Sequence, residues 1–549
     1  MTIDATMMDY PLTTQMILRR GSRLFAQSEI STFDGKQLEA RSYADVADRA
    51  SRLASAIETL GIAPGERIAT LCWNSHAHLE AYLAVPAMGR VLHTLNLRLF
   101  PDQIAWIANH AGDSTILVDS DLVELLASFA GQIKGLRHVI VTDGDGGDAF
   151  ASLDVAVHSL EALIADADPM RDWPSLDENA AAAMCYTSGT TGDPKGVVYS
   201  HRSIFLHSLA SQAHDAFGIR SADRVLMMPP MFHANAWGLP YSCWFSGSDM
   251  AMPARFLGAD HIATMIAHFR PTLTMTVPTI LNDLLVKHES EPMDLSSFRC
   301  IIAGGSAVSR HLVDRVKQAW DVDLLQGWGM TETSPMCVLS HPPRGTAPEQ
   351  EAHWRAKSGR PVAGMEVRIV DDEGMPVAED GEAVGKLQVS GPWVTAGYHS
   401  LPAQTTSDGW FDTGDVGTID AAGYVQITDR TKDLIKSGGE WISSVDLENE
   451  LAAQDGVAEV AVVAVPDPRW EERPLAILSC KDGHAPDFAA LRAALANKMA
   501  KFMIPENWAV LNTLPKTSVG KIDKKRLREM LSDGDIDTIR EDGFAGGNG

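Results

Sequence analysis

Cysteine is scarce and scattered, with six residues in 549, at positions 72, 185, 243, 300, 337 and 480. No CxxC pair or other metal-ligand spacing occurs among them, which excludes a disulfide framework or a zinc module and reads as reduced core thiols of a cytosolic protein. No apolar run reaches the ~18 residues a spanning helix needs, so no membrane span is expected. The opening Met1-Thr2-Ile3-Asp4 has no basic segment leading into an apolar stretch, so no signal peptide is read there. Positive charge is in deficit, with 46 Lys and Arg against 72 Asp and Glu, a net charge of −26. That excludes a general nucleic-acid surface but leaves room for a local cationic pocket. No internal repeat stands out.

What is present is a long, ordinarily hydrophobic chain, too long for a single core. Ser42 is placed to cap a helix over Tyr43–Leu60 that stops at Gly61. A strand over Arg67–Trp73, a helix over Ser75–Met88, strands at Ile116–Val118 and His138–Val141 and a helix at Leu122–Phe129 follow. This alternation predicts layered α/β structure with mainly parallel sheets. Further strands are predicted at Arg224–Pro229, Leu273–Val277 and Arg299–Ala303, and a helix at Ser309–Trp320. From about 358 to 430, short strands separated by glycine turns indicate a β subdomain, bounded at about 340–431. A final region from 432 holds strands at Glu459–Val465 and Leu475–Cys480, a helix over Asp487–Met499, and an Asp- and Gly-rich tail from Ser532 that is expected to fray.

The chain is organised around Tyr186-Thr187-Ser188-Gly189-Thr190-Thr191-Gly192-Asp193-Pro194-Lys195-Gly196. Its glycines permit tight turns and close approach, its hydroxyls donate, and Lys195 adds charge, a composition suited to phosphate. It is not the NTPase P-loop, because Pro194 precedes the lysine and Gly196 follows it, so no hydroxyl stands after a Gly-Lys pair. A flexible Gly/Thr connection is the plain alternative. The loop resembles the AMP-binding signature of the adenylate-forming superfamily of acyl-CoA synthetases, adenylation domains and luciferases. Four further segments resemble that family's motifs in the same order: Gln326-Gly327-Trp328-Gly329-Met330-Thr331-Glu332, Gly409-Trp410-Phe411-Asp412-Thr413-Gly414-Asp415, Lys436-Ser437-Gly438-Gly439-Glu440-Trp441, and Pro515-Lys516-Thr517-Ser518-Val519-Gly520-Lys521.

The resemblance implies roles residue by residue. Thr187, Ser188, Gly189, Thr190, Thr191, Gly192 and Lys195 would hold ATP phosphates. Trp328 would lie beside adenine, flanked by Gly327, Gly329, Met330 and Thr331. Glu332 with the Thr187 hydroxyl would hold magnesium, an ion that takes oxygen ligands. Gly304, Gly305 and Ser306 would lie along adenine and the acyl pocket, with a plain strand-to-helix turn as the rival reading. Asp415 would accept from both ribose hydroxyls, and Arg430 would hold ribose or phosphate. Lys521 would be the catalytic cation bridging carboxylate and phosphate. Lys436, Gly438, Gly439 and Trp441 would line a pantetheine tunnel. Glu440 would orient or deprotonate the CoA thiol there, or be only a salt-bridged surface residue. His233 and Trp237 fall at the acyl-pocket gate, where His233 could equally be a satisfied core histidine.

The fold so implied is α/β: a large N-terminal domain (1–431) of layered sheets with its β subdomain, and a small mobile α+β C-terminal domain (432–549) hinged near Lys432. The function so implied is an ATP-dependent acyl-CoA synthetase using ATP, Mg2+ and coenzyme A. Phe232-His233-Ala234-Asn235 carries no aspartate to meet an ammonium group, which favours an acid without an α-amino group. The overall resemblance is to the medium-chain fatty acyl-CoA synthetase branch, with 3-(methylthio)propionate as the expected acid. Short or medium fatty acids, or loading of a carrier protein, are the alternatives. Family habit implies a cytoplasmic homodimer.

Overall fold

A computed structural model describes residues 5–187, 193–430, 433–437, 440–481, 484–496, 498–517 and 521–540. Among these, two large sheets form the bulk of the molecule. The nine-stranded sheet runs from Arg360–Pro361 through Met336–Leu339, Leu324–Gly329, Cys300–Ala303, Leu273–Thr276, Arg224–Met227, Asp249–Met252 and Glu29–Phe33 to Leu38–Ser42. The seven-stranded sheet centres on Arg67–Leu71 and Val91–Thr94 and ends with Ala181–Tyr186 and Gly196–Ser200. Their inner strands are parallel and nearly continuous apolar runs, as strands covered on both faces must be.

The helix His76–Ala87 is buried at every position except Ala77 and touches strands of both sheets. A helix enclosed on every side must be mostly apolar, and its few polar side chains, His76, His78 and Glu80, each find a partner, so it fills the space between the layers. Leu239–Ser246, buried along its whole length, packs beside it, with Trp244 stacked on Tyr43 at 4.2 Å. The helix predicted from the Ser42 cap runs Tyr43–Thr59 and carries a full capping box with Asp45.

Two smaller sheets complete the fold. Four antiparallel strands, Glu366–Val370, Gly385–Ser390, Phe411–Ile419 and Val425–Arg430, form the β unit read in the sequence. Arg360–Pro361, inside the predicted 340–431 limits, instead extends the nine-stranded sheet through Met336–Leu339. The last region folds as a six-stranded mixed sheet built on the hairpin Val457–Asp467/Glu471–Cys480. Two details correct the sequence reading. The helix expected over Asp487–Met499 is Phe488–Ala496. Of the tail expected to fray from Ser532, Ile539–Arg540 forms a strand against Asn507 and Trp508, while 541–549 lie outside the described residues. No described helix is long and apolar enough to cross a membrane.

Candidate active site

Parallel strands deliver the site. Thr276, Ala303 and Gln326 stand side by side where the parallel pairing of three neighbouring strands ends. Val277, Gly304–Gly305 and Gly327–Gly329 follow them at this edge, where open α/β sheets collect ligands. The seven-stranded sheet contributes the end of Ala181–Tyr186 in register with Val91–Thr94. Thr94 Oγ1 donates to Asn235 Oδ1 at 3.3 Å, tying the two sheets' edges together.

The stem of the predicted phosphate loop is closed by two hydrogen bonds, Thr187 N–H to Lys195 O at 2.9 Å and Lys195 N–H to Thr187 Oγ1 at 3.2 Å. Ser188, Gly189, Thr190, Thr191 and Gly192 lie outside the described residues. Gly196 permits close packing, since a Cβ there would come within 2.8 Å of the Tyr186 ring. The Lys195 ammonium lies 4.9 Å from the Tyr398 ring centre, and Tyr398 Oη donates to Glu332 Oε1 at 2.7 Å. Glu332 is buried, and burial raises its carboxyl pKa against the Tyr398 bond. Its turn is fixed by Tyr199 Oη on Thr331 O at 2.8 Å and by Thr395 N–H on Glu332 O at 2.8 Å. A buried carboxylate linked through Tyr398 to Lys195 suits a hard cation. No group of three His, Cys, Asp or Glu among the described residues could hold a metal alone. The donor set therefore fits magnesium that arrives with phosphate oxygens as its remaining ligands.

Next to Trp328, Asp415 is 2% exposed. Its Oδ1 meets Arg430 Nε at 2.7 Å and its Oδ2 accepts from Trp328 Nε1 at 3.0 Å. Asp415 and Arg430 are cross-strand partners, so the sheet itself sets this pair. A carboxylate has roughly four acceptor sites, which leaves room for a vicinal diol. Burial raises the Asp415 pKa, and Arg430 and Trp328 work against it. The glycine beside Trp328 is obligatory, because a Cβ on Gly329 would sit 1.7 Å from Pro335 O. Met330 N–H donates to Thr333 Oγ1 at 3.0 Å, completing the turn.

Lys521 reaches this site from far along the chain. A Cβ added to Gly305, whose φ is +81°, would meet Lys521 Cε at 3.3 Å and Nζ at 3.8 Å. Burial, with repulsion from Arg430, lowers the Lys521 pKa to about 8 despite attraction from Asp415. Its cation in turn acts on His233, which burial, Lys521 and Arg98 together push down to about 4. His233 is partly exposed. It is thus a neutral imidazole within the field of the lysine.

After His233 the backbone does something the sequence does not announce. Ala234, Asn235, Ala236 and Trp237 all have positive φ, 42°, 46°, 51° and 58°. This left-handed turn brings the half-buried Trp237 over Gly304, where an added Cβ would lie 3.2 Å from Trp237 Cη2 and 2.8 Å from Gly327 O. Ser306 is exposed at the turn beyond Gly305. The structure thus gathers Lys195, Glu332, Asp415, Arg430, Trp328, Lys521, His233 and Trp237 around one edge. Tyr398 joins them without any sequence motif to signal it.

The described part of the predicted tunnel segment lies elsewhere in the fold. Ile435–Ser437 and Glu440–Ile442 pair antiparallel, with Lys436 opposite Trp441. Lys436 N–H donates to Glu472 within the same six-stranded sheet, at 2.8 Å. Gly438 and Gly439 lie outside the described residues, as does Lys432, and the side chains of Glu440 and Trp441 are not described.

Comparison with known proteins places this edge in context. The family described as AMP-binding enzyme matches residues 26–399, and the AMP-binding enzyme C-terminal domain matches residues 446–521. A 3-methylmercaptopropionyl-CoA ligase of Ruegeria pomeroyi is 40% identical, over 96% of this chain and 98% of that protein. A long-chain-fatty-acid–CoA ligase of Thermus thermophilus is 42% identical, over 96% of each. Among solved structures, the anthranilate CoA ligase AuaEII in complex with anthranoyl-AMP superposes with a TM-score of 0.86 at 26% identity, covering 96% of this chain and 99% of that one.

Proposed function

From a chain that belongs to the AMP-binding enzyme family, and is an AMP-forming acid–thiol ligase using ATP and CoA, we propose that the acid is small and apolar, with 3-(methylthio)propionate the preferred substrate. Support comes from the relatives' names and from Trp237, whose indole lies over Gly304. A bulky residue there would restrict the acyl pocket or flank the pantetheine path. No carboxylate follows Phe232 to neutralise a substrate ammonium.

In the first half-reaction a carboxylate oxygen attacks the α-phosphorus of ATP, the bond to the β-phosphate oxygen breaks, and pyrophosphate leaves. Lys521 stabilises the two converging anions. Asp415 and Arg430 fix the ribose, and Lys195 and the Thr187 loop hold the phosphates. Magnesium between Glu332 and Thr187 would neutralise phosphate charge. Neutral His233 adds no competing cation beside the acid. In the second half-reaction the CoA sulfur attacks the acyl carbon and AMP departs. Glu440 and the hairpin of Lys436 are assigned to that step. The region after residue 431 then turns on a hinge near Lys432 to present the hairpin in place of Lys521, a reading supported by separate family matches on either side of it. The protein is read as a cytoplasmic homodimer, which fits its six free cysteines only as to compartment; light scattering tests the assembly.

One observation carries this reading: Lys521 packs at Gly305 beside the Asp415–Arg430 pair. The test is a panel of carboxylates with ATP and CoA, with AMP and thioester measured separately. The highest kcat/KM is expected for 3-(methylthio)propionate. Butyrate to hexanoate should fall within about 10–200-fold of it, the worth of a methylene in a pocket. A clear preference for long-chain acids would discard the substrate assignment.

A further inference from the structure

A partly buried charge network, unused by the chemistry above, joins the four-stranded sheet to the lysine-bearing segment. Asp429 and Arg430 are consecutive on the strand Val425–Arg430, so their side chains leave opposite faces. Arg430 goes to Asp415 at the nucleotide edge. Asp429, 2% exposed, goes the other way. Its Oδ2 accepts from Ser444 N–H at 2.8 Å and from Ser444 Oγ at 2.5 Å. Ser444 Oγ accepts in turn from Lys524 Nζ at 2.5 Å, and Lys524 Nζ also pairs with Glu448 at 2.7 Å.

The arrangement is directional. A hydroxyl has a single proton and two lone pairs; the Ser444 proton points to Asp429, and the Lys524 ammonium donates to one of the lone pairs. Lys524 opens the helix Lys524–Asp533, just beyond Lys521. Asp429 precedes the last described residue before the hinge region. The network therefore spans the junction, with Asp429 on one side and Ser444, Glu448 and Lys524 on the other. Buried, fully hydrogen-bonded charges contribute little net stability, yet removing one partner is costly, which suits them to fixing register.

We propose that Asp429 is a positioning residue for acyl-adenylate formation: through Ser444 and Lys524 it seats the Lys521 segment against the nucleotide edge, and this contact is given up in the seat used for thioester formation. The proposal rests on the functional reading above, including the change of seat after residue 431.

The test separates the half-reactions. Acid-dependent exchange of labelled pyrophosphate into ATP reports the first. Thioester formation from chemically prepared acyl-AMP and CoA reports the second. Asp429→Asn keeps the shape and removes the charge. It should slow exchange roughly 10-fold, as the loss of one coupled pair predicts. Transfer to CoA should stay within about two-fold of the parent, since an interaction absent from that step costs it nothing. Ser444→Ala, a milder change that retains all three charges, should shift the same ratio in the same direction. Asp429→Asn/Lys524→Met should be no slower in exchange than the slower single variant. Equal slowing of both half-reactions, or no slowing of exchange, overturns the role of Asp429. A parent that performs neither half-reaction overturns the functional reading itself.

Discussion

At the scale of the residue, Lys521 is an amine held in a place that disfavours its charge. Burial and Arg430 bring its pKa to about 8, close enough to working pH to be visible in kinetics. Adenylation needs the ammonium, so the sign is fixed: kcat/KM for ATP in the exchange reaction should fall as pH rises through about 8, the free-enzyme value. Lys521→Ala should lose roughly 100–1,000-fold in exchange, the usual cost of one electrostatic donor, and should show no limb near pH 8 in what remains. A limb unchanged in that variant would assign it to another group. Tyr398 gives a second measurement. It is the donor on buried Glu332 and the platform under Lys195. Tyr398→Phe keeps the ring but removes that donor to a carboxylate, worth about 1.5–3 kcal/mol. A Mg2+ titration of exchange should show a several-fold altered midpoint with the fold unchanged. An unaltered midpoint would detach Glu332 from the metal.

At the scale of the element, the turn Ala234–Trp237 is the least expected feature. Each non-glycine residue in the left-handed region costs roughly 1–2 kcal/mol. It persists because Asn235 is held by Thr94 and the buried Ala236 is enclosed. Strain kept beside a substrate edge is commonly functional. Ala236→Gly should change stability by less than about 1 kcal/mol, because the strain it relieves is offset by the lost burial of the enclosed Ala236 methyl and by the greater entropy of unfolded glycine. Ala236→Val should destabilise by more than that, since β-branched residues tolerate positive φ poorly. Thermal melts of both variants check the order. Comparable stretches of sequence differ in what they disclose. The Ser42 cap, the alternation of strands and helices, and the glycines at 304, 305, 327 and 329 are readable because each is a local constraint with a chemical signature. The left-handed turn is not, because only Asn235 of Ala-Asn-Ala-Trp belongs to a residue type at ease in that region, and tertiary contacts impose it on the other three. Tyr398, Asp429 and Lys524 are unreadable for a related reason: their roles exist only through partners distant in sequence.

At the scale of the whole molecule, the histidines make stability depend on acid. His76, His78 and His201 are pushed down to about 4 and His207 to about 3, in each case chiefly by burial. His207 shows how such a ring serves the assembly. It accepts from Met336 N–H at 3.3 Å, lies edge-on to Trp393 at 5.9 Å, and leaves no space for a Cβ on Gly238. It thus joins the helix His201–Ala210 to the nine-stranded sheet and to the turn that carries Trp237. The fold holds the neutral ring, while the unfolded chain takes a proton near pH 6.5. Above 6.5 both states are neutral and the contribution is fully present. As pH falls below 6.5 the unfolded state binds protons the folded state refuses, and stability is lost until about pH 3, where the folded ring titrates too. Between about pH 7 and pH 5 the His207 share of this loss is about 2 kcal/mol, at ~1.4 kcal/mol per pH unit. Desolvated carboxyls such as the half-buried Asp119, raised to about 6, oppose the trend, so the total slope mixes signs. A difference measurement isolates the ring. His207→Gln should be less stable than the parent at about pH 7, yet its urea midpoint should fall less than the parent's on going to about pH 5. Parallel pH dependences in the two proteins would mean that His207 is not neutral and enclosed in the native molecule.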